Sequence, residues 1–84
     1  MLKANVLANE QELVAQVLAG NREAFGELVR AYQDRLFNAV ITIVPCRLDA
    51  EDVVQEAFIQ AYTRLSTFQG KSTFYTWVYR IAIN

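Results

Sequence analysis

Apolar residues recur along this chain at the three- and four-residue spacing of helices buried on one face. Asn9 followed by Glu12 reads as an N-cap with an acid at the third helical position, and Leu13, Val14, Val17 and Leu18 form a short stripe that Gly20 ends. Asn21 caps a second segment, striped by Phe25, Leu28, Val29, Tyr32, Leu36, Val40 and Ile43 until Pro45 removes a donor. Asp49 caps a third, with Glu51 and Asp52 in its first turn and Val53, Val54, Ala57, Phe58, Ala61, Tyr62 and Leu65 on its apolar face. After a loop over 66–71, Ser72 caps a fourth, where Phe74, Trp77, Val78 and Ile81 face inward. The pattern predicts an all-α fold, a compact bundle of about four helices with its helical core over 9–84, and one domain over 1–84. Val53, Phe58, Tyr62, Phe74 and Trp77 are expected inside and Ile59 outside.

Composition supports this reading. Apolar residues make up 54% of the 84, enough for a single small core, and three Gly and one Pro are too few for the frequent turns of an all-β domain. There is no His and only one Cys, Cys46. An internal disulfide and a Cys/His zinc site are therefore excluded, and no metal or cofactor is expected. The N-terminus lacks the basic start and long apolar run of a signal peptide, and apolar runs such as Ala39-Val40-Ile41 are three residues long. A soluble, cytoplasmic protein is the expectation. The apolar Ile81-Ala82-Ile83-Asn84 end carries no helix-stop signal, which reads as a chain cut from a longer protein.

The formal charge of −1 conceals a gradient. Residues 1–62 hold five basic and nine acidic side chains, whereas residues 63–84 hold Arg64, Lys71 and Arg80 and no acid. An acidic body with a basic end suits two partners of different kinds.

Two surfaces carry the chemistry. On the third helix Asp52, Gln55, Glu56, Ile59 and Thr63 share one strip, so an isoleucine stands within carboxylate and amide acceptors suited to Arg and Lys on a partner. In the acid-free end, Phe68, Phe74, Tyr75, Trp77 and Tyr79 are joined by Lys71 and Arg80. Phe74 and Trp77 fit the buried stripe; Tyr75 and Tyr79 lie on its flank, with Thr76, Arg80 and Asn84 outward. Aromatic faces stack on unpaired bases, cations track phosphates, and Asn or Arg can read base edges. From the residues alone, binding and plain packing are equally good accounts of these tyrosines. The carboxylate pairs Glu10/Glu12 and Glu51/Asp52 are explained by helix capping, and no nucleophile, base or phosphate-binding loop accompanies them. The chain is not read as an enzyme.

The segments Asp52-Val-Val-Gln-Glu-Ala-Phe-Ile and Phe68-Gln-Gly-Lys-Ser-Thr-Phe-Tyr-Thr-Trp-Val-Tyr-Arg-Ile-Ala-Ile-Asn84 resemble the N-terminal domain (conserved region 2) of extracytoplasmic-function sigma factors, in the envelope-stress branch. The likeness runs from about Glu12 through Asn84, and it rests on D-x-x-Q-E followed by F-x-G-x-S-x-F-Y-T-W in that order. It implies a transcription factor domain that binds core RNA polymerase and recognises and helps melt the −10 promoter element. Asp52, Gln55, Glu56 and Ile59 would dock on the beta-prime clamp helices. Phe68, Lys71, Ser72, Tyr75, Tyr79, Arg80 and Asn84 would meet the non-template strand of promoter DNA, with Phe68 and Asn84 around a flipped base. The likeness further implies an anti-sigma partner and a monomer when free. The family's second, C-terminal domain is absent from this chain. The alternatives are a helical protein-interaction module and an autonomous duplex-binding domain; the acid-free end disfavours the first and the acidic body the second.

Overall fold

The computed structural model describes the backbone of residues 2–84 and the side chains of residues 9–84. Four α-helices follow one another: α1 (Leu2–Leu18), α2 (Arg22–Val40), α3 (Arg47–Thr63) and α4 (Phe74–Ile83), with a single 3-10 turn (Leu65–Thr67) before the last loop. A radius of gyration of 12.6 Å is close to the roughly 12 Å of a compact chain of this length. The all-α bundle read from the spacing is the fold. Among the described residues, no helix is long and apolar enough to cross a membrane.

The turn from α1 to α2 follows from two residues. The Gly20 N–H bonds the Val17 carbonyl and the Asn21 N–H bonds the Gln16 carbonyl, each at 2.9 Å, which closes α1 as a Schellman motif. Gly20 has φ +110°, a conformation that side-chain-bearing residues rarely adopt. Asn21 then caps α2 by accepting the Glu23 N–H at 3.1 Å.

Other boundaries differ from the sequence reading. Helix α1 does not begin at Asn9. The good helix formers before it, Leu2, Ala4, Leu7 and Ala8, carry the helix through that position. Helix α2 ends at Val40 rather than at Pro45. The β-branched run 40–44 is unfavourable in a helix, and the Thr42 hydroxyl donates to the Ala39 carbonyl at 2.7 Å, so the chain turns early and leaves Ile43 exposed. Helix α3 starts at Arg47 after Cys46, whose carbonyl accepts the Ala50 N–H at 2.9 Å; Asp49 lies in the first turn, favoured by the helix dipole, and is not the cap. Helix α4 is capped by Thr73, not Ser72: the Thr73 hydroxyl accepts the Thr76 N–H at 3.1 Å.

The core is one cluster drawn from all four helices. Leu28, Leu36 and Val40 of α2, Leu65 of the 3-10 turn, and Phe74 and Val78 of α4 are fully enclosed. Ala50, Ala57 and Ala61 are the small buried residues of α3, so neighbouring side chains pack close to its backbone. Phe74 is the hub. Its ring lies 6.1–6.2 Å from those of Phe25, Tyr32, Phe68 and Trp77, spacings at which aromatic pairs attract. Phe58 and Phe74 are buried and Ile59 exposed as anticipated, but Val53 and Trp77 are only half-buried and Tyr62 is 40% exposed. Tyr62 falls at the edge of the α3 stripe, where its ring packs edge-on against Phe25 at 5.1 Å and the rest faces solvent.

Candidate functional site

The acidic strip is where helical spacing put it. Asp52, Gln55, Glu56, Ile59 and Thr63 are all exposed on α3. Ile59, at 58% exposure, is less isolated than the sequence suggests. With Phe25, Val29, Phe58 and Tyr62 it lines an apolar groove of about 320 Å³ between α2 and α3. The polar strip therefore has an apolar margin supplied by another helix. Nearer the start of α3, Arg47 pairs with Glu51 at 3.4 Å and its guanidinium lies 5.3 Å over the Phe37 ring. An exposed pair of this kind contributes little to stability.

The aromatic and basic end is built on α4 and the loop before it. Gly70, at φ +72°, makes the turn in that loop, so any side chain there would be strained. Lys71 is exposed, and the Ser72 hydroxyl donates to the Thr73 carbonyl at 3.1 Å. Phe68 is half-buried, its ring 5.0 Å from Trp77.

Helix α4 then presents two flanks, and the predicted residues divide between them. Tyr75 and Tyr79 stack at 6.1 Å with 29° between their planes, and the Tyr75 ring lies 5.7 Å from that of Tyr32 on α2. Arg35 of α2 lies 3.9 Å over the Tyr75 ring, which adds a cation to this flank. The other flank faces α3. There Gln60, Arg64, Trp77, Arg80, Ile81 and Asn84 line a groove of about 440 Å³ in which every charged side chain is basic. Asn84 is common to this groove and to a second one beside Asp52, Val53 and Glu56. Phe68 does not line the Asn84 groove; Trp77 touches the Phe68 ring and also lines it.

Sequence reasoning passed over Gln60, Arg64, Trp77 and Arg35 as site residues. Gln60, in the last turn of α3, and Arg64, its C-cap, are four apart, a signal that could have paired them. Arg35 has no such signal, because its place beside Tyr75 depends on how α2 crosses α4.

Glu10 is the larger surprise. It is read from sequence as part of the α1 cap, yet it is the one buried charged residue among those described, 7% exposed. One carboxylate oxygen accepts the Tyr32 hydroxyl of α2, and the other accepts the Phe74 N–H of α4 at 3.0 Å. Burial first, then the hydrogen bond and charge of Glu10, raise Tyr32 well above the usual tyrosine range, with Arg35 opposing weakly. The native domain thus holds this proton after an unfolded chain has released it. Stability contributed here is complete below about pH 10 and declines above it, by up to about 1.4 kcal/mol per pH unit. Denaturant unfolding measured from pH 8 to pH 11 should show that decline, and Tyr32→Phe should flatten it.

Residues 28–84 match the family model for Sigma-70 region 2. The RNA polymerase sigma-H factor of Pseudomonas aeruginosa is 48% identical over 75 residues, covering 89% of this chain and 39% of that protein. The ECF RNA polymerase sigma-E factor of Escherichia coli K12 is 51% identical over the same length, with the same coverage. The chain thus spans about two fifths of the length of these curated relatives. Among solved structures, an engineered region 2 of sigmaE in complex with GTAAAA, determined by NMR, matches with a TM-score of 0.80. Its identity is 47%, over 89% of this chain and 78% of that one.

Proposed function

The chain belongs to the Sigma-70 region 2 family, and from that footing we propose that it is the promoter-opening module of an extracytoplasmic-function sigma factor. It docks on core RNA polymerase through Asp52, Gln55, Glu56 and Ile59 and captures the unpaired non-template strand of the −10 element with α4 and its loop. The observation that carries the reading is the basic, aromatic groove at Arg64, Trp77, Arg80 and Asn84, in a domain closely similar to a region 2 solved on GTAAAA. The groove offers a ring for stacking, two guanidinium groups for phosphate and one amide for a base edge. Phe68 buttresses Trp77, and Lys71 and Ser72, on the loop before α4, are assigned to the strand's backbone. Tyr75, Tyr79 and Arg35 extend the surface across α4. On this reading the module is a binding factor and not an enzyme, monomeric when free and acting in the cytoplasm. The apolar margin at Ile59 gives the polymerase and an anti-sigma protein a face to compete for.

Few cations and an acidic body cannot supply the many phosphate contacts of a strong duplex binder. A labelled single strand containing GTAAAA should therefore bind more tightly than its duplex. Tighter duplex binding would favour an autonomous duplex-binding domain, and no binding to either would favour a protein-interaction module. Within the groove, Asn84→Ala should lose about 1–3 kcal/mol of discrimination at one base position, whereas Lys71→Ala should weaken every sequence alike and reduce the salt slope by about 0.7. Competition among single-base variants of the oligonucleotide separates the two. For docking, Glu56→Lys is expected to weaken capture of core polymerase at unchanged thermal stability, since Glu56 is exposed and charge reversal against a basic partner costs several kcal/mol where the pair is desolvated. Undiminished capture would place the docking face elsewhere.

A further inference from the structure

We propose that Glu10 is a positioning residue for strand capture: from α1 it fixes the N-terminus of α4, and with it the loop and groove that hold the unpaired strand. The proposal rests on the functional reading above and adds to it a residue outside 28–84, the part matched to region 2.

Helix α4 has ten residues, too few to hold its conformation alone. Its first N–H groups have no partners within the helix. Thr73 satisfies the Thr76 N–H from the same segment, but the Phe74 N–H is satisfied by Glu10, 64 residues away. A carboxylate is well suited to that place because it also opposes the positive end of the helix dipole. The second carboxylate oxygen is held by the Tyr32 hydroxyl, so Glu10 ties α1, α2 and α4 at one buried point. The Tyr32 ring in turn lies 6.2 Å from Phe74 and 5.7 Å from Tyr75. Glu10 therefore sets the start of α4 directly and its tyrosine flank through Tyr32.

Capturing a strand rewards a surface ordered beforehand, since disorder removed on binding lowers affinity. Without the Glu10 contact the first turn of α4 and the Gly70 loop are held only by Thr73 and by packing. The bundle can still fold around Phe74 while its binding surface samples more positions. Docking through the acidic strip on α3 does not pass through this contact.

The test uses the full chain and a fluorescent single strand containing GTAAAA, with affinity read by anisotropy at a temperature where every variant is folded by circular dichroism. Glu10→Ala is expected to weaken strand binding about 3- to 10-fold, the range of one lost hydrogen bond. Tyr32→Phe should do so less, and Glu10→Gln, which keeps an acceptor, should recover part of the loss. Capture of core polymerase should stay within about twofold throughout, inside the scatter of uncoupled sites. Val17→Ala, a core truncation on α1 about two turns beyond Glu10, serves as the destabilised control and should bind like the parent. Amide exchange at Phe74 should accelerate in Glu10→Ala. If Glu10→Ala cannot be obtained folded, Glu10→Gln and Tyr32→Phe carry the comparison. Parental affinity in the folded Glu10 and Tyr32 variants, or an equal loss in Val17→Ala, would reduce Glu10 to a stabilising residue and overturn the proposal. A parent that fails to bind the strand would instead overturn the functional reading, and this proposal with it.

Discussion

Phe74→Ala is expected to cost about 3–5 kcal/mol of folding stability, the range for truncating a buried phenylalanine that its neighbours cannot replace. The ring is 0% exposed and touches four other aromatic rings from α2, α4 and the preceding loop. No single helix can move to fill that void without abandoning its other contacts. A domain of this size has about 5–15 kcal/mol in total, so about a fifth or more of it would go. The midpoint of thermal unfolding should fall by at least about 12 °C, at about 4 °C per kcal/mol for small domains. Tyr62→Ala removes a ring of similar size from a position 40% exposed, and should cost clearly less. Similar losses for the two would mean that Phe74 is not the hub of the core.

Glu10→Ala should cost about 2–4 kcal/mol, a larger effect than helix capping at an exposed α1 position could produce. Two buried donors, the Tyr32 hydroxyl and the Phe74 N–H, lose their only described acceptor at once. Hydrogen bonds to a charged acceptor contribute about 1.5–3 kcal/mol, and abandoned donors add the cost of their desolvation. Tyr32→Phe alone leaves Glu10 charged, buried and half-partnered, so the two substitutions should not add. A double-mutant cycle in urea should give a coupling of at least about 0.5 kcal/mol, beyond what independent sites show. Strict additivity would mean that the carboxylate and the phenol do not act as a unit.

The exposed strip on α3 was fully legible. Helical spacing alone placed Asp52, Gln55, Glu56 and Ile59 outward, because an α-helix converts sequence separation directly into direction. The Gly20–Asn21 turn was legible for a related reason: a positive-φ residue and a capping amide are local requirements with few residue types to meet them. Helix ends were less so. Whether Thr42 continues a helix or turns it, and whether Cys46 or Asp49 begins the next, turns on differences smaller than tertiary packing routinely overrides.

The local order of residues was thus sufficient to determine four helices, one acidic face, an acid-free aromatic end and, through two ordered motifs, the family. Those features depend on neighbours a few positions apart, and helical geometry makes them readable. What only the folded chain decided lies between helices. Tyr75 and Asn84 occur in one short basic segment, yet α4 turns them to opposite flanks, one completed by Arg35 of α2 and the other by Gln60 of α3 and the C-cap residue Arg64. Ile59 gains its apolar margin from Phe25 and Val29. Glu10 looks in sequence like one more acid near a helix start. Only when α1 lies against α2 and α4 does its carboxylate meet a phenol 22 residues away and a backbone N–H 64 residues away. A hydrogen bond needs its partners within about 3 Å, and no periodicity along the chain encodes a separation that the packing of three helices brings that close.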